Sequence, residues 1–149
     1  MKVNNIKPYK IVKRYTMPAT KYGKVKLTNK NIEPHETDTI YCLSRFGFDV
    51  ETIIPSNIPK SKNPDILMLS TVWEMKGPRT ANVETIKTKF RKAVKQAGGK
   101  AIFDLRNAGM NKEKIEIIIM NLFDEIREMR RIMIIKDNNT ILDIYKKKR

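Results

Sequence analysis

The stretch Asn63–Pro78, NPDILMLSTVWEMKGP, indicates how the fold is organised and where its chemistry lies. Apolar and β-favouring residues fill its two halves, which predicts a β-hairpin that turns near Ser70-Thr71. With a two-residue turn, Asp65 pairs with Lys76, and Glu74 lies on the same face two residues away. Paired residues of a hairpin point the same way, so an even loop keeps these three side chains together. The opposite face, which we expect to be buried, carries Ile66, Met68, Trp73 and Met75.

The shared face indicates a chemical role. Two neighbouring carboxylates, Asp65 and Glu74, repel each other unless a cation lies between them or one is protonated. Oxygen ligands suit a hard divalent cation such as Mg²⁺ or Mn²⁺, which can activate water and polarise a phosphodiester. Lys76 could then steady the attacking water or the charge that builds on phosphate. The alternative is structural: a turn residue at Asp65, and a solvated strand face at Glu74 and Lys76.

The remaining segments predict an α/β (α+β) fold with a single mixed sheet and helices packed against it. From Pro34 onward the expected order is α-β-β-β-α-β-α-β-β. Residues 1–32 lack helical periodicity, and we interpret them as a basic N-terminal arm or linker with a short strand near Lys24–Leu27, preceding a domain at 33–149. The expected elements are helices at Pro34–Gly47, Asn82–Ala97 and Asn111 to about Arg130, and strands at Phe48–Ile54, Asp65–Leu69, Val72–Lys76 and Lys100–Leu105, with a final hairpin turning at Asp137–Asn139.

Charge is the strongest global signal. There are 31 Lys and Arg residues against 16 acids, so the net charge is +15. Such a field attracts polyanions, nucleic acid before acidic membranes or acidic proteins. One cysteine, Cys42, excludes an internal disulfide, and one histidine, His35, excludes a two-cysteine, two-histidine zinc site. No apolar run is long enough to predict a transmembrane helix, and no signal peptide is visible.

Pro64-Asp65 followed by Glu74-Met75-Lys76 resembles the PD-(D/E)XK nuclease superfamily, whose α-β-β-β-α-β core matches the predicted order from Pro34 to Leu105. Four segments are similar to the C-terminal nuclease domains of CdiA toxins of contact-dependent growth inhibition, several of which cleave tRNA. The resemblance covers about half of the chain. These segments are RFGFDVETII (45–54), NPDILML (63–69), WEMKGP (73–78) and KQAGGKAIFDL (95–105).

This resemblance assigns roles to individual residues. It implies metal ligation by Asp65, Glu74 and the Met75 carbonyl, and it makes Lys76 the catalytic lysine. It also implies Mg²⁺ or Mn²⁺ as cofactor, with Zn²⁺ as a further option. An acid of the first helix and a glutamine of the second helix complete the site in some superfamily members, and the matching positions here are Glu36 and Gln96.

The sequence therefore predicts a metal-dependent endonuclease, with RNA and especially tRNA favoured. As a delivered toxin it would act in the target-cell cytoplasm and be countered by an acidic immunity protein. A DNA endonuclease of the restriction or repair type and an inactive basic RNA-binding module are the alternatives. Trp73 and Cys42 are expected in the core, and His35 is expected to face solvent. The residues expected to bind phosphates are Lys60, Lys62, Arg79, Lys89 and Lys92.

Overall fold

A computed structural model describes residues 10–17 and 19–147 of the 149-residue chain. These residues form eight strands and three α-helices, with a short 3-10 turn at Gly109–Asn111 before the last helix. The strands are β1 (Lys10–Thr16), β2 (Val25–Lys26), β3 (Val50–Thr52), β4 (Ile66–Met68), β5 (Thr71–Lys76), β6 (Lys100–Asp104), β7 (Arg131–Lys136) and β8 (Thr140–Lys146), and the helices are α1 (Pro34–Arg45), α2 (Val83–Ala97) and α3 (Lys112–Glu125).

All eight strands lie in one mixed sheet, in the order β1-β8-β7-β6-β5-β4-β3-β2. The pairs β2–β3, β5–β6 and β6–β7 are parallel, and the other neighbours are antiparallel. The single mixed sheet and the element order from Pro34 onward confirm the predicted fold class. Among the described helices, none combines the length and apolar character needed to cross a bilayer.

The sheet extends further toward the N-terminus than expected. Strand β1 pairs antiparallel with β8, from Lys10 opposite Lys146 to Thr16 opposite Thr140, and the sequence analysis missed it. Lys13 and Arg14 interrupt its apolar pattern, as charged residues do in edge strands. The short strand expected near Lys24–Leu27 is present as β2. Residues 1–9 of the predicted arm lie outside the described residues.

Local signals set the first two helices. Glu33 and Glu36 form a capping box at the start of α1. The Asn82 side chain accepts a hydrogen bond from the Thr85 N–H at the start of α2, and Gly98, in the left-handed region at φ 59°, ends that helix. Both helices therefore lie where the sequence predicts them.

The third helix is shorter than expected. It ends at Glu125, because Ile126 leaves the helical region with ψ 101°. Further along, the Arg130 N–H donates to the Gly99 carbonyl at 2.8 Å, which aligns the start of β7 with β6. Met129 is buried as expected, but it lies in the connection rather than on the helix.

The sheet separates two apolar cores. Residues of α2 and α3, such as Phe90 and Phe123, pack on one face of the central strands. Residues of α1, such as Ile40 and Leu43, pack on the opposite face. Trp73 and Cys42 are buried in this second core, as predicted, together with the predicted core residues of the hairpin, Ile66, Met68 and Met75.

The hairpin register differs from the prediction by two residues. The turn residues are Leu69 and Ser70, with φ 54° and 59°, so Met68 pairs with Thr71 and Ile66 pairs with Trp73. Positive φ at both central residues matches the right-handed twist of a hairpin, even without an Asn-Gly sequence. The predicted pair of Asp65 with Lys76 is therefore wrong. A shift of two keeps the faces unchanged, so the three polar side chains still point the same way.

Candidate active site

A cavity of about 430 Å³ opens where the hairpin, the start of α1, the middle of α2 and the end of β6 meet. His35 and Glu36 of α1 line one side, and Asp104 and Asn107 after β6 line another. Glu74 is not part of the lining and is buried, with 1% of its surface exposed. The other sequence-predicted site residues that line the cavity are Asp65, Met75, Lys76, Arg79, Lys89 and Lys92.

Asp65 is held in place by two hydrogen bonds to β5, the second strand of the hairpin. Its Oδ2 accepts a 2.7 Å hydrogen bond from the Met75 N–H, and its own N–H donates to the Trp73 carbonyl at 3.0 Å. Burial raises the pKa of Asp65, and Glu36 adds to this, while the Met75 hydrogen bond, Lys76 and Lys92 oppose it. The carboxylate is thus held at the edge of the cavity at a net cost to its ionised form.

Glu74 is the most unusual group of the site. Lys76 Nζ lies 3.2 Å from Glu74 Oε2, within ion-pair distance. Apart from this lysine, neither oxygen of Glu74 has a hydrogen-bond donor among the described residues. Burial raises the pKa of Glu74, and the neighbouring Asp65 raises it further, while Lys76 and Lys92 lower it. A buried carboxylate with one lysine as its partner is costly, and a second cation nearby would lower that cost.

Two residues that the resemblance placed in the site have structural partners. Glu36 lines the cavity, but its Oε1 accepts a 3.0 Å hydrogen bond from the Glu33 N–H in the capping box. Gln96 does not line the cavity. Its Oε1 accepts a 2.5 Å hydrogen bond from the Asn63 N–H, which fastens the loop before the hairpin to the last turn of α2. Gln96 therefore positions the loop that carries Asp65.

The basic residues divide into two groups. Arg79, Lys89 and Lys92 line the cavity, whereas Lys60 and Lys62 do not. Burial lowers the pKa of Lys89, and the positive charges of Lys76 and Lys92 lower it further. Several cations concentrated on one wall favour an anionic ligand such as phosphate.

A polar cluster that the sequence did not reveal includes two further residues of the lining, Thr39 and Asp104. Thr39 Oγ1 donates to Asp104 Oδ2 at 2.6 Å, and Arg106 Nη2 donates to the same oxygen at 2.7 Å. Burial by itself would raise the pKa of Asp104, but the hydrogen bonds from Arg106 and Thr39 outweigh it and hold the pKa below its ordinary value. Arg106 also pairs with Asp38 at 3.1 Å. The available signal was an acid at the C-terminal end of a predicted buried strand.

Across residues 10–17 and 19–147, no group of three or more His, Cys, Asp or Glu side chains is arranged to hold a metal ion. Asp65 and Glu74 form a pair only. A cation there would need backbone oxygens, water or substrate phosphate to complete its shell, as Mg²⁺ sites commonly do.

Comparisons with known proteins address the identity of the chain. Residues 62–141, just over half of the chain, match the family described as contact-dependent growth inhibition CdiA C-terminal domain. A solved CdiA-CT/CdiI toxin and immunity complex from Burkholderia pseudomallei contains a chain with a similar fold, with a TM-score of 0.62 and 23% identity over 83% of this chain and 99% of that one. No curated protein matches the chain. The chain therefore belongs to the CdiA C-terminal domain family and is a contact-dependent growth inhibition toxin domain.

Proposed function

We propose that this toxin domain is a metal-dependent endonuclease of the PD-(D/E)XK type, with tRNA as its favoured substrate. The observation that carries the proposal is the buried Glu74 carboxylate, which lies beside Asp65 and has Lys76 as its one charged partner among the described residues. Neighbouring carboxylates with raised pKa values are a recognised sign of a functional site.

The residues present fit a hard divalent cation. Asp65 and Glu74 supply carboxylate oxygens on one face of the hairpin. The Met75 N–H points toward Asp65, and because N–H and C=O of one strand residue face the same neighbouring strand, the Met75 carbonyl lies on that side too. Such an all-oxygen set suits Mg²⁺ or Mn²⁺, and Zn²⁺ is a weaker match because it favours nitrogen and sulfur ligands.

The proposed mechanism divides the work among the residues of the cavity. A bound cation polarises the phosphodiester and lowers the pKa of water. Asp65 and Glu74 would hold this cation, and Lys76 would donate a hydrogen bond to the attacking water or to a phosphate oxygen as its charge grows. Lys89 and Lys92 would bind the backbone phosphates on either side of the scissile bond.

The biological setting follows from the family. We infer RNA, and tRNA in particular, because the resemblance to tRNA-cleaving CdiA domains agrees with the net charge of +15. Delivered into a neighbouring cell, the domain would act in that cytoplasm. The similar solved structure is described as a toxin and immunity complex. We propose an immunity partner here as well, and an acidic one, because the toxin surface is strongly basic.

The test is an incubation of the purified protein with total tRNA and, separately, with supercoiled plasmid. Each substrate is run with Mg²⁺, Mn²⁺, Zn²⁺ or EDTA, beside an Asp65→Ala variant. The proposal expects metal-dependent cutting of tRNA that disappears in the variant. Cutting of plasmid alone would make the protein a DNA endonuclease. Tight, salt-sensitive binding without cutting of either substrate would overturn the enzymatic proposal and leave an RNA-binding module.

A further inference from the structure

A second concentration of positive charge lies at the end of β6 opposite the cavity. Lys100 begins β6 and pairs in register with Arg131, which begins β7. The loop residue Lys62 comes next to them, because its neighbour Asn63 is fastened to Gln96 just before Lys100. None of this group, Lys62, Lys100 and Arg131, lines the cavity.

Arg131 is held rigidly, with one amino group to spare. Its Nε and Nη2 donate to the two oxygens of Asp143, at 2.9 and 2.7 Å. The guanidinium lies between the rings of Trp73 and Tyr145, at 5.2 and 5.0 Å from their centres. Its Nη1 makes no hydrogen bond within the described residues, and a quarter of the side chain is exposed. A fixed guanidinium with a free donor is suited to bind phosphate.

The two lysines lack counter-charges. Asp143 is fully buried and both of its oxygens already bind Arg131. Within the part of the chain that the structure describes, neither Lys62 nor Lys100 has an ion-pair partner. Burial lowers the pKa of Lys100, and the charges of Arg131 and Lys62 lower it further. Two lysines without counter-charges, next to a guanidinium with a free donor, favour an anion between them.

A basic path joins this group to the cavity. Lys89, Lys92 and Gln96 follow each other on α2 at spacings of three and four residues, so they form one stripe along the helix. The stripe starts at the cavity, where Lys89 and Lys92 lie, and ends at the Gln96–Asn63 contact beside Lys62. A chain of phosphates that enters the cavity could therefore continue along α2 to the second group.

We propose that Lys62, Lys100 and Arg131 form a second phosphate-binding site, outside the lining of the cavity, which grips the backbone of the nucleic-acid substrate. The inference rests on the proposed function, because it concerns the same substrate. An acidic protein is the other polyanion that such a surface attracts, but a rigid guanidinium with one free donor favours phosphate.

The test measures binding of labelled tRNA in EDTA, where no metal-dependent cutting occurs, over a range of salt concentrations. Lys62→Gln/Lys100→Gln is compared with Lys30→Gln/Lys114→Gln, which removes the same charge from two exposed positions elsewhere. Each lost phosphate contact lowers the slope of log K against log salt by about 0.9, so we expect a loss of about 2 in the first variant and little in the second. Arg131 is left unchanged because its removal would strand the buried Asp143.

Each outcome decides one point. The second site is refuted if the salt slope falls equally in the two double variants. It is also refuted if the slope does not fall in Lys62→Gln/Lys100→Gln. Equal weakening of poly-L-glutamate binding and of tRNA binding in the first variant also overturns it, in favour of a dock for acidic protein. If the double variant unfolds, Lys62→Gln alone replaces it in the test, because Lys62 lies on an exposed loop. This single variant should lower the salt slope by about 1. If wild-type protein binds tRNA with this salt dependence but never cuts it, the proposed nuclease activity is refuted. The second phosphate-binding site is then still supported.

Discussion

Lys76 Nζ lies 3.2 Å from Glu74 Oε2 on one face of β5, yet the pKa of Glu74 is raised rather than lowered. Burial and the neighbouring Asp65 together outweigh the attraction of the lysine. The lysine alone therefore does not offset the cost of burying these two carboxylates. A further positive charge would lower that cost.

Glu74→Gln should stabilise the metal-free protein at alkaline pH. Because the folded-state pKa of Glu74 is raised, the folded protein binds this proton more tightly than the unfolded chain does, and wild-type stability falls as pH rises through that pKa. In EDTA at pH 8 we expect a gain of about 1 kcal/mol, since the substitution removes a buried negative charge and keeps the shape of the side chain. Thermal unfolding at pH 4 and pH 8 checks this, and the gain should shrink at pH 4.

Glu125→Gln is the matched control, since Glu125 is an exposed acid at the end of α3. It should change stability little at either pH. A Glu74→Gln protein that is less stable than wild type at pH 8 would show that Glu74 is a structural partner of Lys76.

Lys76→Gln should abolish cutting while the protein remains folded. The lysine would act on charge that develops only during hydrolysis, so we expect cleavage to fall by about 10²–10³-fold. Single-turnover cleavage of tRNA, with circular dichroism to verify the fold, measures this. Lys114→Gln, an exposed lysine of α3, should cut as wild type does. Full activity in Lys76→Gln would refute the catalytic role of the lysine.

The hairpin shows what the sequence could predict and what it could not. Its faces were predictable, because side chains alternate with a period of two and any even turn preserves that alternation. Its register was not, because Leu69-Ser70 carries no turn signal although both residues adopt positive φ. The starts of α1 and α2 were predictable from local capping residues.

Features that depend on distant contacts could not be predicted. Strand β1 is defined by its pairing with β8 rather than by its own pattern. The hydrogen-bonded cluster of Thr39, Asp104 and Arg106 joins residues 65 positions apart in the sequence. The position of Gln96 in the second helix was predictable, but its bond to the Asn63 N–H was not.

Nucleic-acid binding should weaken as pH rises toward the pKa range of lysine side chains. Loss of the proton from Lys89 should contribute to this weakening. Burial and the charges of Lys76 and Lys92 lower the pKa of Lys89, so it loses its proton before an ordinary lysine does. Lys89→Arg keeps the charge and should flatten the pH dependence of tRNA binding in EDTA between pH 7 and 9.5. Lys87→Arg, on α2 but outside the cavity lining, is the control. Identical profiles for wild type and Lys89→Arg would contradict a role for Lys89.

Gln96→Ala should loosen the loop before the hairpin. Loss of the acceptor for the Asn63 N–H removes a hydrogen bond worth about 1 kcal/mol, so exchange of that amide should accelerate about fivefold. Gln96→Glu retains an acceptor oxygen and should keep the amide protected. Hydrogen exchange measured by NMR separates the two variants, and unchanged protection in Gln96→Ala would argue against the tether.

The most direct test of the proposed function measures the rate of tRNA cleavage at saturating Mg²⁺ by wild type, Glu74→Gln and Glu125→Gln. We expect wild type and Glu125→Gln to cut at the same rate, EDTA to stop both, and Glu74→Gln to be slower by about 10³-fold or more. Cleavage by Glu74→Gln at the wild-type rate would show that the buried carboxylate pair does not carry the activity of this toxin domain.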